Sequence, residues 1–387
     1  VALLAQSLPR AGVDTAVACV RKGGVVAHRL ANAGVDVTVF GGDAGRVGEW
    51  AEEKGVAVAN SHFAPVDAVE ALAEAGIPVV ETVQNCYAWL DDDGWAVERR
   101  RVASVSGMVA VSDTVAAYHA RRCGREVDWI VPNAVHPARA AAAPRAFARR
   151  VLGLPDDRPV LAFVGRLTKQ KNPAGLVDAF AEAVGRTAEA SRPAPVLVMA
   201  GPADDSAGMP ALRRRHAALF EEETVRHLSD VRHVGTVLAA TDIYVSNAFY
   251  EGWSVAASEA AWVGCPLAVS ETGGSRALVG AMGDGAAGDR IALQGRGSVG
   301  QRGIVVPNPC GDPLTVDATG IAAADGETRR LNVEALAEAM VVLVNDADGW
   351  RSRRGAIQAW ARQEVAPGVI ARRYAAVLSG VAGRGEG

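Results

Sequence analysis

Short apolar runs alternate with helix-period stretches along nearly the whole chain. Residues 15–20 (TAVACV), 35–40 (VDVTVF), 76–83 (GIPVVETV) and 107–112 (GMVAVS) read as short buried strands. Between them, residues 24–34 (GVVAHRLANAG) and 67–76 (DAVEALAEAG) read as helices that end on glycine. Strand and helix in alternation predict βαβ units, and so an α/β fold whose parallel sheet is covered on both faces. Residues 129–137 (WIVPNAVHP) close this first series, and 138–150 (ARAAAAPRAFARR) read as a crossover out of it. A second series follows at 159–165 (PVLAFVG), 194–201 (APVLVMAG), 231–235 (VRHVG), 242–248 (DIYVSNA), 266–271 (PLAVSE) and 303–307 (GIVVP). Two sheets divided near residue 140 are therefore expected. Residues 280–330, rich in Gly, Asp and Ala, predict a long loop with one short strand inside it. The chain's end predicts two helices broken around Pro367 and Gly368.

Composition narrows the class. A length of 387 residues exceeds one usual core, in keeping with two domains. Hydrophobic residues at 49% and charged ones at 22% mark a globular chain and exclude a disordered one. A net charge of −4 supplies no global basic field, which argues against nucleic acid as a partner. Cys19, Cys86, Cys123, Cys265 and Cys310 lack CxxC spacing, so a zinc site is not expected and a reducing, cytoplasmic location is. No apolar run approaches membrane-span length, and no signal peptide is visible. The chain opens at Val1, already inside an apolar pattern, which reads as a missing N-terminus. Arginine's excess over lysine and the abundant alanine suggest a GC-rich bacterial genome.

Four lysines stand against thirty-six arginines, and two of the four, Lys169 and Lys171, follow directly on a predicted strand end. In a doubly wound sheet ligands bind beyond the carboxyl ends of strands. There Gly165, Arg166 and Lys171 precede Asn172, a good N-cap, and Pro173, suited to a first helical position. Two cations at a helix N-terminus make an anion site, although a solvated loop would carry the same charges. A second constellation is 246–274, SNAFYEGWSVAASEAAWVGCPLAVSETGG. Ser254 can cap a helix that Gly264 and Pro266 end. Glu251 and Glu259 lie eight residues apart, up to roughly 12 Å along a helix, a span that suits a ligand with a hydroxylated ring at each end and phosphates between. The amides of Trp253 to Val255 can meet phosphate oxygens. Taken singly, each glutamate is better explained as a solvated acid.

Together these segments resemble the GT-B retaining glycosyltransferases, and specifically glycosyltransferase family four. VGRLTKQKN looks like that family's glycine–arginine–lysine segment, EGWSVAASE like its E-x7-E motif, and GCPLAVSETGG like the stretch that follows. VAVS (109–112) and IVPNAV (130–135) are similar to the segments before its interdomain linker. The resemblance covers nearly the whole chain. It implies two Rossmann-like, doubly wound parallel-sheet domains facing a cleft: 1–140 on the acceptor side, 141–357 binding the nucleotide sugar, and 358–387 as helices crossing back. Carried over, Arg166 and Lys171 bind the donor diphosphate, Glu251 contacts the transferred sugar, and Glu259 holds the ribose. Gly165 and Gly252, Trp253, Ser254 and Val255 complete the donor site. Arg166, Lys171 and Glu251 are the catalytic candidates.

The sequence departs from the family in places. The family's first strand and glycine-rich loop would precede Val1, and a Rossmann sheet without its first strand would expose apolar faces and an unpaired edge. Gln84, in ETVQNCYAW, stands where the family often carries a histidine beside the reacting sugar. His62, Gln84 and Asn85 are the acceptor-side candidates. Arg276 and Ala277 replace the family's glutamate after the double glycine, and the link from Gly235 to Asp242 is short.

The expected reaction is transfer of a sugar from a nucleoside-diphosphate sugar to a hydroxyl acceptor (a saccharide, a lipid-linked sugar or a small molecule), with retained anomeric configuration. Fixed cations aimed at the departing diphosphate favour the transition state, so neither a metal nor another cofactor is expected. Asp91, Asp92 and Asp93 read as a solvated loop. The basic clusters Arg99–Arg101 and Arg121–Arg122 are candidates for peripheral contact with an anionic membrane, though such clusters are more often the wet face of a helix. A nicotinamide-dependent oxidoreductase would need a strand followed by GxGxxG, which VRKGG and VFGGD do not provide. A non-catalytic sugar-nucleotide-binding protein would share every donor residue, and a GT-B phosphorylase or epimerase would share the fold.

Overall fold

A computed structural model describes residues 1–141, 143–189, 193–231, 233–281, 297–323 and 326–383. The chain divides into two compact units, Val1–Ala134 with Glu364–Gly387, and Val135–Gln363.

In the first unit, β1 (Ala16–Cys19) and β2 (Asp36–Val39) pair in parallel as a separate ribbon. The strands β3 (Ala59–Ser61), β4 (Val79–Val83), β5 (Gly107–Ala110) and β6 (Trp129–Ile130) form a four-stranded parallel sheet in that order. Every residue of β4 and β5 is buried, the polar Glu81 and Thr82 of β4 included. β1 and β2 are not: both are only partly covered, because a two-stranded ribbon offers too little apolar surface to be enclosed. Apolar residues of β4, β5 and the segment after β6, Val80, Val109 and Val131, share a core with Ile370, Tyr374 and Leu378 of the Pro367–Ala382 helix. That helix follows an extended residue, Ala366, after the Arg354–Glu364 helix ends.

Among its described residues the second unit holds seven strands. They are β7 (Val160–Val164), β8 (Val196–Ala200), β9 (Val225–Leu228), β10 (Ile243–Ser246), β11 (Leu267–Ser270), β12 (Ser298–Gly300) and β13 (Gly303–Val306). Their order is β12-β13-β11-β10-β7-β8-β9, parallel throughout except for β12. The chain runs outward from β7 to β9 and then returns to start β10 on the other side of β7. The β7/β10 boundary is thus the topological switch point, where a doubly wound sheet opens a crevice at its carboxyl edge.

Three expectations are corrected. The described residues of 231–235 hold no strand: a helix starts at Val234, and the strand is β9, at the earlier of two Val-Arg-His triplets. Pairing with β8 selects that triplet, since local propensity is the same for both. Asp91, Asp92 and Asp93 begin a helix and are not a loop: Asp91 caps Asp92–Ala103 by accepting from the Gly94 amide, and the next two acids sit in the first turn, complementing its dipole. Of the expected 280–330 loop, residues 282–296 and 324–325 lie outside the described residues. The remainder holds an antiparallel pair of strands, β12 and β13, and helical segments at Ala318–Ala323 and from Gly326 onward.

Candidate functional site

The chain leaves β7 through Gly165, in a left-handed conformation with φ +149°. Its carbonyl oxygen would lie 2.1 Å from a Cβ placed at Gly201, so glycine at 201 is what lets this loop cross the end of β8. Exposed Arg166 follows, then Leu167, whose buried side chain anchors the turn. Lys169–Lys171 form a single 3₁₀ turn. Asn172 (φ +50°) caps the Pro173–Glu189 helix, its Oδ1 accepting from the Gly175 amide at 3.1 Å.

The loop after β10 is tied to this one by Gln170. Its backbone carbonyl accepts from the Phe249 amide, and its side-chain amide donates to the Tyr250 carbonyl, both at 2.9 Å. Those bonds bring the Lys171 ammonium into direct contact with the Glu251 carboxylate. Burial, and then the Arg166 guanidinium, pull the Lys171 ammonium down to about 8, while contact with Glu251 opposes the pull. Gly165, Arg166, Lys171 and Glu251 therefore gather at one sheet edge, beside a small hollow lined by Ser246, Glu251, Ser254, Thr272 and Ser275.

Ser254 caps the Val255–Trp262 helix by accepting from the Ala257 amide. The Trp253 indole turns inward and donates to Ser258 Oγ at 2.8 Å, so only its backbone is available to the site. The Gly252 carbonyl accepts from the Gly274 amide at 2.9 Å. A Cβ at Gly273 would come within 2.1 Å of that same carbonyl, and one at Gly274 would meet the Trp253 ring. Glu259 lies a turn further in, 1% exposed. Burial raises its carboxyl, and the Arg139 guanidinium 3.1 Å away holds it down.

Sequence reasoning missed Gln170, Arg139 and Asn308. The Asn308 amide donates to the carbonyls of Phe249 and Glu271 and so fixes the loops after β10 and β11 to each other. An arginine interrupting the alanine run at 138–143 was the one local sign of Arg139. Arg276, in place of the family's glutamate, pairs with Glu271 at 2.6 Å.

In the first unit, His62 and Gln84 meet beyond β3 and β4. Asn133 donates to Gln84 Oε1 at 3.0 Å, and Gln84 Nε2 lies 3.3 Å from His62 Nδ1. Burial, with a smaller push from the N-terminal ammonium, holds His62 down at about 3, so its imidazole is neutral at ordinary pH. Asn85 turns back on its own loop, its Oδ1 accepting from the Cys86 amide. Arg101 is not on a wet face: it is buried, 2.8 Å from Glu98 and 3.8 Å from Glu81. Arg100 pairs with Glu70.

Among the described residues, no group of three or more His, Cys, Asp or Glu side chains is placed to hold a metal ion. None of their helices is long and apolar enough to cross a membrane.

Two parallel-sheet units, the second with a cationic turn at its switch point, define the GT-B class. Its solved members include Anabaena Alr3699/HepE in complex with UDP, at TM-score 0.72 and 17% identity over 98% of this chain and 95% of that one. Sucrose-phosphate synthase from Thermosynechococcus elongatus reaches 0.64 at 16% identity over 98% and 92%. Residues 144–290 match the family "Glycosyl transferases group 1". Relatives include D-inositol 3-phosphate glycosyltransferase 2 of Catenulispora acidiphila, 28% identical over 56% of this chain and 54% of that protein. The D-inositol 3-phosphate glycosyltransferase of Nocardia farcinica is 32% identical over 49% and 42%. The chain thus spans about half the length of the curated relatives it matches.

Proposed function

We propose that this chain transfers a sugar from a nucleoside-diphosphate sugar to a hydroxyl acceptor, with retention and without a metal. The observation that carries the reading is the meeting of Lys171, Arg166 and Glu251 at the β7/β10 switch point, beside the first turn of the Val255–Trp262 helix. In the proposed step the bond from the sugar's anomeric carbon to the diphosphate oxygen breaks, and a bond from that carbon to the acceptor oxygen forms on the same face. The acceptor's proton passes to the departing phosphate oxygen. Charge grows on the diphosphate as the bond lengthens, and Arg166, Lys171 and the helix amides oppose it more strongly in the transition state than before it. Glu251 orients the transferred sugar and Lys171 together, and Glu259 accepts hydrogen bonds from the ribose hydroxyls. His62 and Gln84 contact the acceptor as neutral groups, as does Asn85.

The UDP complex of HepE makes uridine-linked sugars the first donors to test. The test is nucleoside-diphosphate release from UDP-, GDP- and ADP-linked sugars, with and without added polyols. Wild type should release it from one donor class, and Lys171→Ala should slow release about 10²–10³-fold with unchanged circular dichroism. Donor binding without release would assign a non-catalytic sugar-nucleotide binder, and near-normal turnover in Lys171→Ala would refute the role given to that residue.

A further inference from the structure

Beyond β3 and β4 the first unit displays aromatic rings in a strained setting. Phe63 has φ +57° and Tyr87 φ +52°, conformations that bulky residues rarely adopt and that persist only where the surroundings enforce them. The surroundings here are unusual. The Phe63 amide donates at 3.0 Å to Oε1 of Glu81, a carboxylate with no exposed surface. The Arg101 guanidinium lies 4.4 Å from the Phe63 ring centroid and is itself bound to buried Glu98, which in turn meets buried His119 at 3.0 Å. Buried ion clusters are seldom retained for stability, since packed apolar residues commonly do as well. This one braces a single loop.

Together with the loop after β4, the braced loop after β3 presents an amphipathic surface. Phe63 and Tyr87 have ring centroids 4.6 Å apart, Tyr87 and Trp89 5.3 Å, and Phe63 and Trp89 6.4 Å, in edge and tilted arrangements that lock one another. Tyr87 is buried, yet Phe63 is 40% and Trp89 47% exposed. His62 directly precedes Phe63, and Gln84 bonds to it, so neutral hydrogen-bonding groups flank the rings. An apolar floor with a few convergent polar groups is how small-molecule sites are built. A saccharide or cyclitol ring has matching chemistry, with a face of C–H bonds and a rim of hydroxyls. Because Arg101 is buried and paired, the floor suits an uncharged ring.

We propose that Phe63 and Trp89 form the stacking floor of the acceptor site, and that the acceptor presents an uncharged polyhydroxylated ring to it. The proposal rests on the sugar-transfer reading, and its test separates the two. Saturation-transfer NMR on the full chain would use methyl α-D-glucopyranoside, myo-inositol, glycerol and octyl β-D-glucopyranoside, with UDP in the same sample. Saturation should reach the ring C–H protons of the cyclic probes and not glycerol. It should fall about fivefold in Trp89→Ala and in Phe63→Leu, and return in Trp89→Phe. UDP signals should persist in these variants and vanish in Lys171→Ala. Silent cyclic probes, cyclic signals unchanged in Trp89→Ala, or saturation confined to the octyl chain would overturn the floor. Absent UDP signals in wild type would instead overturn the donor reading.

Discussion

At the scale of single residues, the second unit balances buried charge against function. Lys171 is held near pH 8, so its ammonium is present below that pH and lost above it. Nucleotide binding that depends on this cation should weaken as pH rises through 8, where a surface lysine would stay charged up to about 10.4. Bound diphosphate favours the cation and moves the midpoint upward. In Lys171→Arg the alkaline limb should disappear, because guanidinium keeps its proton. Calorimetric titration of UDP between pH 6.5 and 9.5 reads this directly, and an identical limb in both proteins would exclude Lys171 as its source. Arg139 offers a second case. Without its guanidinium, the Glu259 carboxylate is buried and uncompensated, and the penalty exists only while the carboxylate is ionised. Glu259 is already raised by burial and would rise further in Arg139→Ala. The variant should therefore melt below wild type at pH 8 and converge on it at pH 4, the sign expected when a folded-state carboxyl lies above its unfolded value. A melting difference independent of pH would mean that Arg139 acts through packing alone.

At the scale of elements, the double glycine after β11 decides whether the Glu251–Ser254 loop can lie where it does. Gly273 has φ +41°, and a methyl group there would collide with the Gly252 carbonyl oxygen. Gly273→Ala should cost about 1–3 kcal/mol of stability and abolish the thermal shift given by UDP, since the loop must back away from the Val255–Trp262 helix. A normal shift in a folded variant would show that the loop tolerates displacement. This same scale explains what the sequence disclosed. β7, β8, β10 and β11 were legible because strands of a parallel sheet are unbroken apolar runs, and the Asn172 and Ser254 caps because capping is local. The triplet chosen for β9 was not, since pairing partners decide it. Nor was the partial exposure of β1 and β2, which reflects their having only each other as strand neighbours. Individual charges of the site were visible, but the contact between Lys171 and Glu251 depends on Gln170 joining loops eighty residues apart.

On the scale of the whole molecule, all the proposed donor residues belong to one unit, and two hollows among that unit's described residues compete for a ligand. One is the hollow at the carboxyl edge beside Glu251 and Ser254. The other, roomier cavity lies at the amino ends of β7 and β10, lined by Arg145, Asp156, Arg158, Asp242, Trp350 and Arg354. Size favours the second, and electrostatics favour the first. Around the amino-end cavity the charges are already spent: Arg145 and Arg149 both bind Asp242, which also accepts from the Val160 amide, while Arg158 donates to the Ala194 and Pro195 carbonyls. A diphosphate entering there would have to break pairs that hold the start of β7, whereas at the carboxyl edge Arg166 remains exposed and two helices begin, with the positive ends of their dipoles there. Hydrogen exchange on the full chain distinguishes the two. Saturating UDP should slow exchange in residues 165–176 and 250–259, and leave 156–160 and 347–354 unchanged. Protection centred on the amino-end segments would place the nucleotide at the wrong end of the sheet for Lys171 and Glu251 to act on it.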